Sequence, residues 1–107
     1  MIPVDQRTWA RILAAACGAW VALALLRTDR VAETIGAGPR EVRTLALRDL
    51  ASAGALLAPG HERKAIAARV ALDVSDAVRY GGGRPRLRAG ILAFAAFGAL
   101  GLVARRR

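Results

Sequence analysis

Five charged residues interrupt two otherwise apolar stretches of the chain: Arg48 and Asp49 in one, Arg69, Asp73 and Asp76 in the other. Carboxyl pairs beside an arginine can serve general acid–base chemistry, with the guanidinium stabilising developing negative charge. They can also relay protons or bind a solute, or simply pair with one another to fix how two helices meet. Arg69, Asp73 and Asp76 recur at i, i+4 and i+7, with Tyr80 continuing the row, so a helix places them on one stripe. Thr44, Arg48 and Ser52 form a second stripe with Asp49 on its flank.

These stripes belong to two of four segments of nearly equal length: 9–26, 40–58, 62–80 and 87–104. Helices of 18 or 19 residues are roughly 27–29 Å long, close to the hydrocarbon thickness of a bilayer. Breakers fall between the segments: Gly36, Gly38 and Pro39, then Pro59-Gly60, then Gly81-Gly82-Gly83 with Pro85. The expected fold is all-α, a single domain over residues 1–107 built as a four-helix transmembrane bundle. A short interfacial helix is expected over 28–35, capped by Thr28 or Asp29 and ended by Gly36.

The first and last segments are ordinary spans. The middle two carry central charges, each of which opposes insertion by about 2.5–3.5 kcal/mol, so they require shelter and mutual pairing. Because the Pro59-Gly60 turn is short, they must form an antiparallel hairpin. Equal depth then sets Arg48 against Asp73, Asp49 against Arg69 and Thr44 against Asp76. Asp76 is left as the surplus acid, the carboxylate expected to hold a proton. Small residues predict the inward faces: Arg11, Ala15, Gly18 and Ala22 on the first helix, and Gly90, Phe94, Phe97 and Gly101 on the last. Trp9 and Trp20 are then expected to face lipid, with Trp9 at headgroup level.

Composition narrows the partners. The chain has 55% hydrophobic residues, seventeen Lys and Arg against eight Asp and Glu, and a net charge of +9. The cations flank apolar segments, as at Arg27 and Arg30, Arg84 to Arg88 and Arg105 to Arg107, instead of forming a patch. That distribution points to anionic lipid headgroups and away from nucleic acid. The cations divide almost evenly between the two sides of a four-span layout, so the positive-inside rule selects no orientation. One Cys and one His leave no metal-ligand cluster and no internal disulfide, and no cofactor is expected. Cys17 reads as a packing residue, His61 as a solvated turn residue and Gly81-Gly82-Gly83 as a flexible turn. Arg7 and Arg11 before an apolar run resemble a signal peptide, but the run continues through Leu26, which predicts a retained helix.

Arg48-Asp49-Leu50 with Gly54 in the second segment, and Asp73 with Asp76 in the third, resemble uncharacterised small four-helix membrane proteins of bacteria, DoxX-like in layout. The resemblance implies architecture and no particular activity. The Ala- and Arg-rich, Lys-poor composition looks like that of a high-GC bacterium, which implies the inner membrane. The chain also differs from the small multidrug resistance transporters, whose first helix carries a glutamate; residues 9–26 contain no acid. Three functions fit: an accessory or structural membrane protein, possessing small-residue faces for a second copy or another membrane protein; a proton-linked small-solute transporter; and a membrane enzyme acting on a lipophilic substrate.

Overall fold

A computed structural model describes residues 5–104. Among them the chain is entirely helical: α1 (Gln6–Leu26), α2 (Thr28–Ile35), α3 (Pro39–Leu57), α4 (Glu62–Tyr80) and α5 (Pro85–Gly101). The expected segments are all present, with shifts of a few residues that local chemistry explains. Asp5 accepts from the Thr8 N–H at 2.8 Å and starts α1 earlier than Trp9. Pro39 and Pro85 occupy the first turns of α3 and α5, where a missing N–H leaves no bond unmade. Arg105 to Arg107 lie outside the described residues.

The short helix α2 spans 28–35 and ends at Gly36, whose φ of 72° is the left-handed cap conformation. Neither Thr28 nor Asp29 caps it. The Thr28 hydroxyl instead donates to the Ala24 carbonyl at 2.7 Å, closing the last turn of α1. Val31, Ala32 and Ile35 are buried, so α2 lies with one face on the bundle.

The closest helix pairs are α1 with α3 and α4 with α5. The expected hairpin of α3 and α4 exists, turning at Gly60 with φ 85°, but these two helices approach less closely because long charged side chains fill the space between them. Apolar packing divides into two clusters along the bundle. One contains Trp9, Leu13, Ala53, Leu56 and Ile66; the other contains Val21, Val31, Ile35, Val42, Leu45 and Tyr80.

The inward face of α1 differs from the expected one. Trp9, Ala10, Leu13, Ala14, Cys17, Val21 and Ala24 are buried, whereas Arg11, Ala15 and Ala22 are exposed. Large Trp9, Leu13 and Val21 alternate there with small Ala10, Ala14, Cys17 and Ala24, and α5 leaves room for Trp9 and for Val70 of α4. A Cβ on Gly101 would stand 2.2 Å from Trp9 Cδ1, and one on Gly98 would stand 3.0 Å from Val70 Cγ2. Trp9 therefore faces inward, stacks on Phe97 with ring centroids 4.6 Å apart, and donates its indole N–H to the Phe97 carbonyl at 2.8 Å. Gln6 donates to the Gly101 and Leu102 carbonyls, and Arg63 to the Leu102 carbonyl, satisfying acceptors that the end of α5 would otherwise leave open.

Candidate functional site

Between the two apolar clusters lies a connected network of the five charged residues singled out by the sequence. Arg69, only 2% exposed, donates from Nη1 to Asp49 Oδ1 at 2.9 Å and from Nη2 to Asp73 Oδ1 at 2.8 Å. Arg48 donates from Nη1 and Nη2 to the two oxygens of Asp76, at 3.1 and 2.7 Å, and also to Asp49 Oδ1. Such two-point pairing of guanidinium and carboxylate gives both strength and orientation.

The expected pairing of Asp49 with Arg69 is present. Arg48, however, meets Asp76 and not Asp73. An arginine stem is long enough to reach a turn along the neighbouring helix, and Asp73 is already held by Arg69 on the same face, four residues away. Asp76 is thus not the surplus acid. Thr44 does not face it either, because its hydroxyl donates to the Arg40 carbonyl on the exposed side of α3. Arg79 also turns outward, to Glu41 at 2.9 Å.

Asp49 is the most fully bonded member. Its Oδ1 accepts from Arg48 and Arg69, and its Oδ2 accepts from the Trp20 indole N–H. Three helices therefore meet at one carboxylate. The Cys17 thiol accepts a further contact from Arg69 Nη1 at 3.5 Å. Asp73 is the contrasting case. It is 6% exposed, and its Oδ2 has no hydrogen-bond partner. Arg69 Nε and the Tyr80 hydroxyl are likewise unpartnered.

The network forms the floor of a cleft of about 410 Å³. Trp20, Leu87, Ile91 and Phe94 contribute to its walls, and exposed Arg86 and Gly90 near the start of α5 and exposed Ala16 at the middle of α1 lie at its edges. At 1.5 Å per residue, Arg86 lies within about 2 Å of the start of α5, Asp76 about 6 Å from the end of α4, and Arg69 about 16 Å from that end. The cleft therefore descends from one end of the bundle to about half its depth. This is the size range of small-molecule sites, with an apolar wall and a few polar groups converging at the bottom.

Trp20, Gly90 and Arg86 were not legible as site residues. Trp20 lies on the same α1 row as Leu13, Cys17 and Ala24, and that row, not the one through Arg11, Ala15 and Ala22, marks the inward face. Gly90 was expected to allow close packing, yet a Cβ there would meet nothing within 4 Å; it borders open space. Among the described residues no cluster of His, Cys, Asp and Glu has the arrangement of a metal site. Against family models, curated proteins and solved structures the chain finds no match, so the geometry alone carries the functional reading.

Proposed function

We propose that this chain is a multi-pass membrane protein, its four long helices crossing the bilayer around a cleft that binds a small solute for carriage or delivery. The observation that carries this reading is an inverted distribution of polarity. Over 12–26, 44–57, 65–78 and 89–101, the only charged residues are the five that line the cleft. The outward positions of the same stretches hold aliphatic side chains, among them Leu47 at 64%, Leu50 at 53% and Val78 at 78% exposure. Water would reward the reverse arrangement, whereas lipid favours this one.

Among the described residues, α1 alone is long and apolar enough to cross a membrane by itself. α3 and α4 fall short because of their central charges, and α5, expected to be an ordinary span, is 17 residues long and falls short in length. In the proposed arrangement those charges meet one another and the cleft, and the lipid meets only the apolar sides. The resulting layout is the DoxX-like one that Arg48-Asp49-Leu50, Asp73 and Asp76 resemble. The bacterial inner membrane, anionic headgroups and the flanking arginines belong to the same proposal.

An accessory role, in which the charges only fix helix register, is favoured by Asp49, whose oxygens are fully engaged by three helices. It does not account for the cleft or for the buried, unpartnered oxygen of Asp73. Catalysis by a free carboxyl pair draws less support, because Asp73 and Asp76 are each tied to a different arginine.

Labelling from the two sides of the membrane tests the spans. In a Cys17→Ser background, His61→Cys should react with an impermeant maleimide from one side only, and Gly38→Cys and Gly82→Cys from the other. Recovery of the protein in the soluble fraction after alkaline washing, or labelling of all three sites from one side, would refute the four-span reading.

A further inference from the structure

Resting on the reading of the cleft as a binding site, we infer that its occupant is a single-chain fatty-acid anion that enters sideways from the bilayer between α1 and α5, its chain against Trp20, Ile91 and Phe94 and its carboxylate at Arg86. The side of the cleft carries the first part of this. α1 and α5 meet where Trp9 sits over Gly101 and Leu13 lies beside Gly98. From that level toward Arg86 the cleft lies between them, while the close pairings of the bundle are α1 with α3 and α4 with α5. Its edges are exposed: Ala16 at the middle of α1, and Gly90, where a Cβ would meet nothing within 4 Å. In the four-span arrangement the middle of α1 is at hydrocarbon depth, so the opening there faces acyl chains and not water.

The walls suit such a chain. Trp20, Leu87, Ile91 and Phe94 are each only partly buried, which leaves apolar surface uncovered within the cleft. From Arg86 to Phe94 the wall formed by α5 runs about 12 Å along the helix axis, from headgroup level toward the middle of the bilayer. A single cleft of about 410 Å³ takes one chain and not the pair carried by a phospholipid.

Charge fixes the head. The lining sets Arg48, Arg69 and Arg86 against Asp49, Asp73 and Asp76 and is balanced as a whole. Five of these six are bonded to one another on the floor, and the two floor atoms without partners, Asp73 Oδ2 and Arg69 Nε, are buried beyond the reach of the cleft. Arg86 stands apart. It is exposed in the first turn of α5, and among the described residues no hydrogen bond or ion pair engages it. It is therefore the lining charge open to a ligand, and a guanidinium takes a carboxylate at two points. An ammonium head would meet a like charge there, and a neutral head gains no ion pair.

Displacement from the full-length protein in phosphatidylcholine nanodiscs, at a mildly alkaline pH that keeps fatty acids ionised, tests this. The probe is dibromostearate, a fatty acid whose bromine atoms quench tryptophan on contact. Trp20 lines the cleft, and Trp9, buried at the far end, contributes a constant background. Laurate, dodecanol and dodecylamine are compared as competitors at equal mole fraction in the lipid. Laurate should relieve quenching about fivefold more effectively than dodecanol, the increment of one exposed ion pair, and dodecylamine least effectively. Arg86→Gln should abolish the advantage of laurate and leave displacement by dodecanol in place. Equal displacement by laurate and dodecanol, strongest displacement by dodecylamine, or displacement by dioleoylphosphatidylglycerol as effective as that by laurate overturns the inference while the cleft remains a binding site. Gly90→Leu grows into the side opening and should weaken quenching; quenching that is unchanged overturns lateral entry. Displacement by none of the competitors also overturns the inference, and the binding reading falls with it only if 2-phenylethanol, a compact neutral probe, leaves Trp20 emission unchanged as well.

Discussion

Arg69 on α4 donates to Asp49 on α3 at 2.9 Å with both side chains almost wholly buried, and each of the two has further partners that depend on the other staying in place. Asp49 orients the Trp20 indole and part of the Arg48 guanidinium; Arg69 holds Asp73. The pair is the junction through which α1, α3 and α4 are fixed relative to one another.

Removing the charge of Asp49 should therefore be severe. Asp49→Ala leaves Arg69 buried beside a lost partner, which destabilises by about 3–5 kcal/mol. Thermal unfolding in detergent reads this directly. A double-mutant cycle with Asp49→Asn and Arg69→Gln should return a coupling of about 1–3 kcal/mol, and additivity of the two changes would show that the pair is not a junction.

Asp73→Asn should behave differently. The amide oxygen can still accept from Arg69 Nη2, so the fold is expected to survive with a smaller loss of stability than Asp49→Ala causes. A protein that fails to fold with Asn at 73 but tolerates Ala at 49 would place the junction at Asp73 instead.

Two glycines on α5 should respond oppositely to the same change. Gly101→Ala drives a methyl group into the Trp9 indole and disturbs its stacking on Phe97, a small-to-large strain of about 1–3 kcal/mol. Gly90→Ala meets nothing and raises helix propensity, so it should be neutral or stabilising by up to about 1 kcal/mol. Melting temperatures of the two variants in one detergent provide the comparison.

Leu50→Asp tests the surroundings of the bundle. On a surface facing water such a change alters stability by no more than about 0.5 kcal/mol. At mid-depth in a bilayer it opposes insertion by about 2.5–3.5 kcal/mol, and the yield of membrane-integrated protein should fall sharply. Unchanged yield and stability would count against a lipid-facing position for Leu50.

Helix number and placement were legible because apolar runs and Gly/Pro breakers are local signals, although Pro39 and Pro85, counted among the breakers, are the first residues of α3 and α5. The five residues of the polar network were legible for a related reason: a charge within an apolar run must find a partner. Which partner it finds was only partly legible. Pairing by equal depth yields Asp49 with Arg69, but it treats side chains as short, and so it misassigns Arg48, whose stem reaches along α4 to Asp76. The helix faces failed for another reason. Close contact needs one small and one large partner, and here Gly101 and Gly98 supply the space that Trp9 and Val70 fill. Neither half of that arrangement can be read without the other.

The seating of Trp9 over Gly101 has a mechanical consequence. It joins the start of α1 to the end of α5, while the other ends of these two helices stand apart around the cleft. The indole is the point at which α5 is anchored to α1. A tilt of α5 by about 5° about that point would displace its first turn, about 25 Å away, by about 2 Å. Because α5 packs along α4, such a tilt would carry α4 with it, and Trp9 marks the end of the cleft that stays closed.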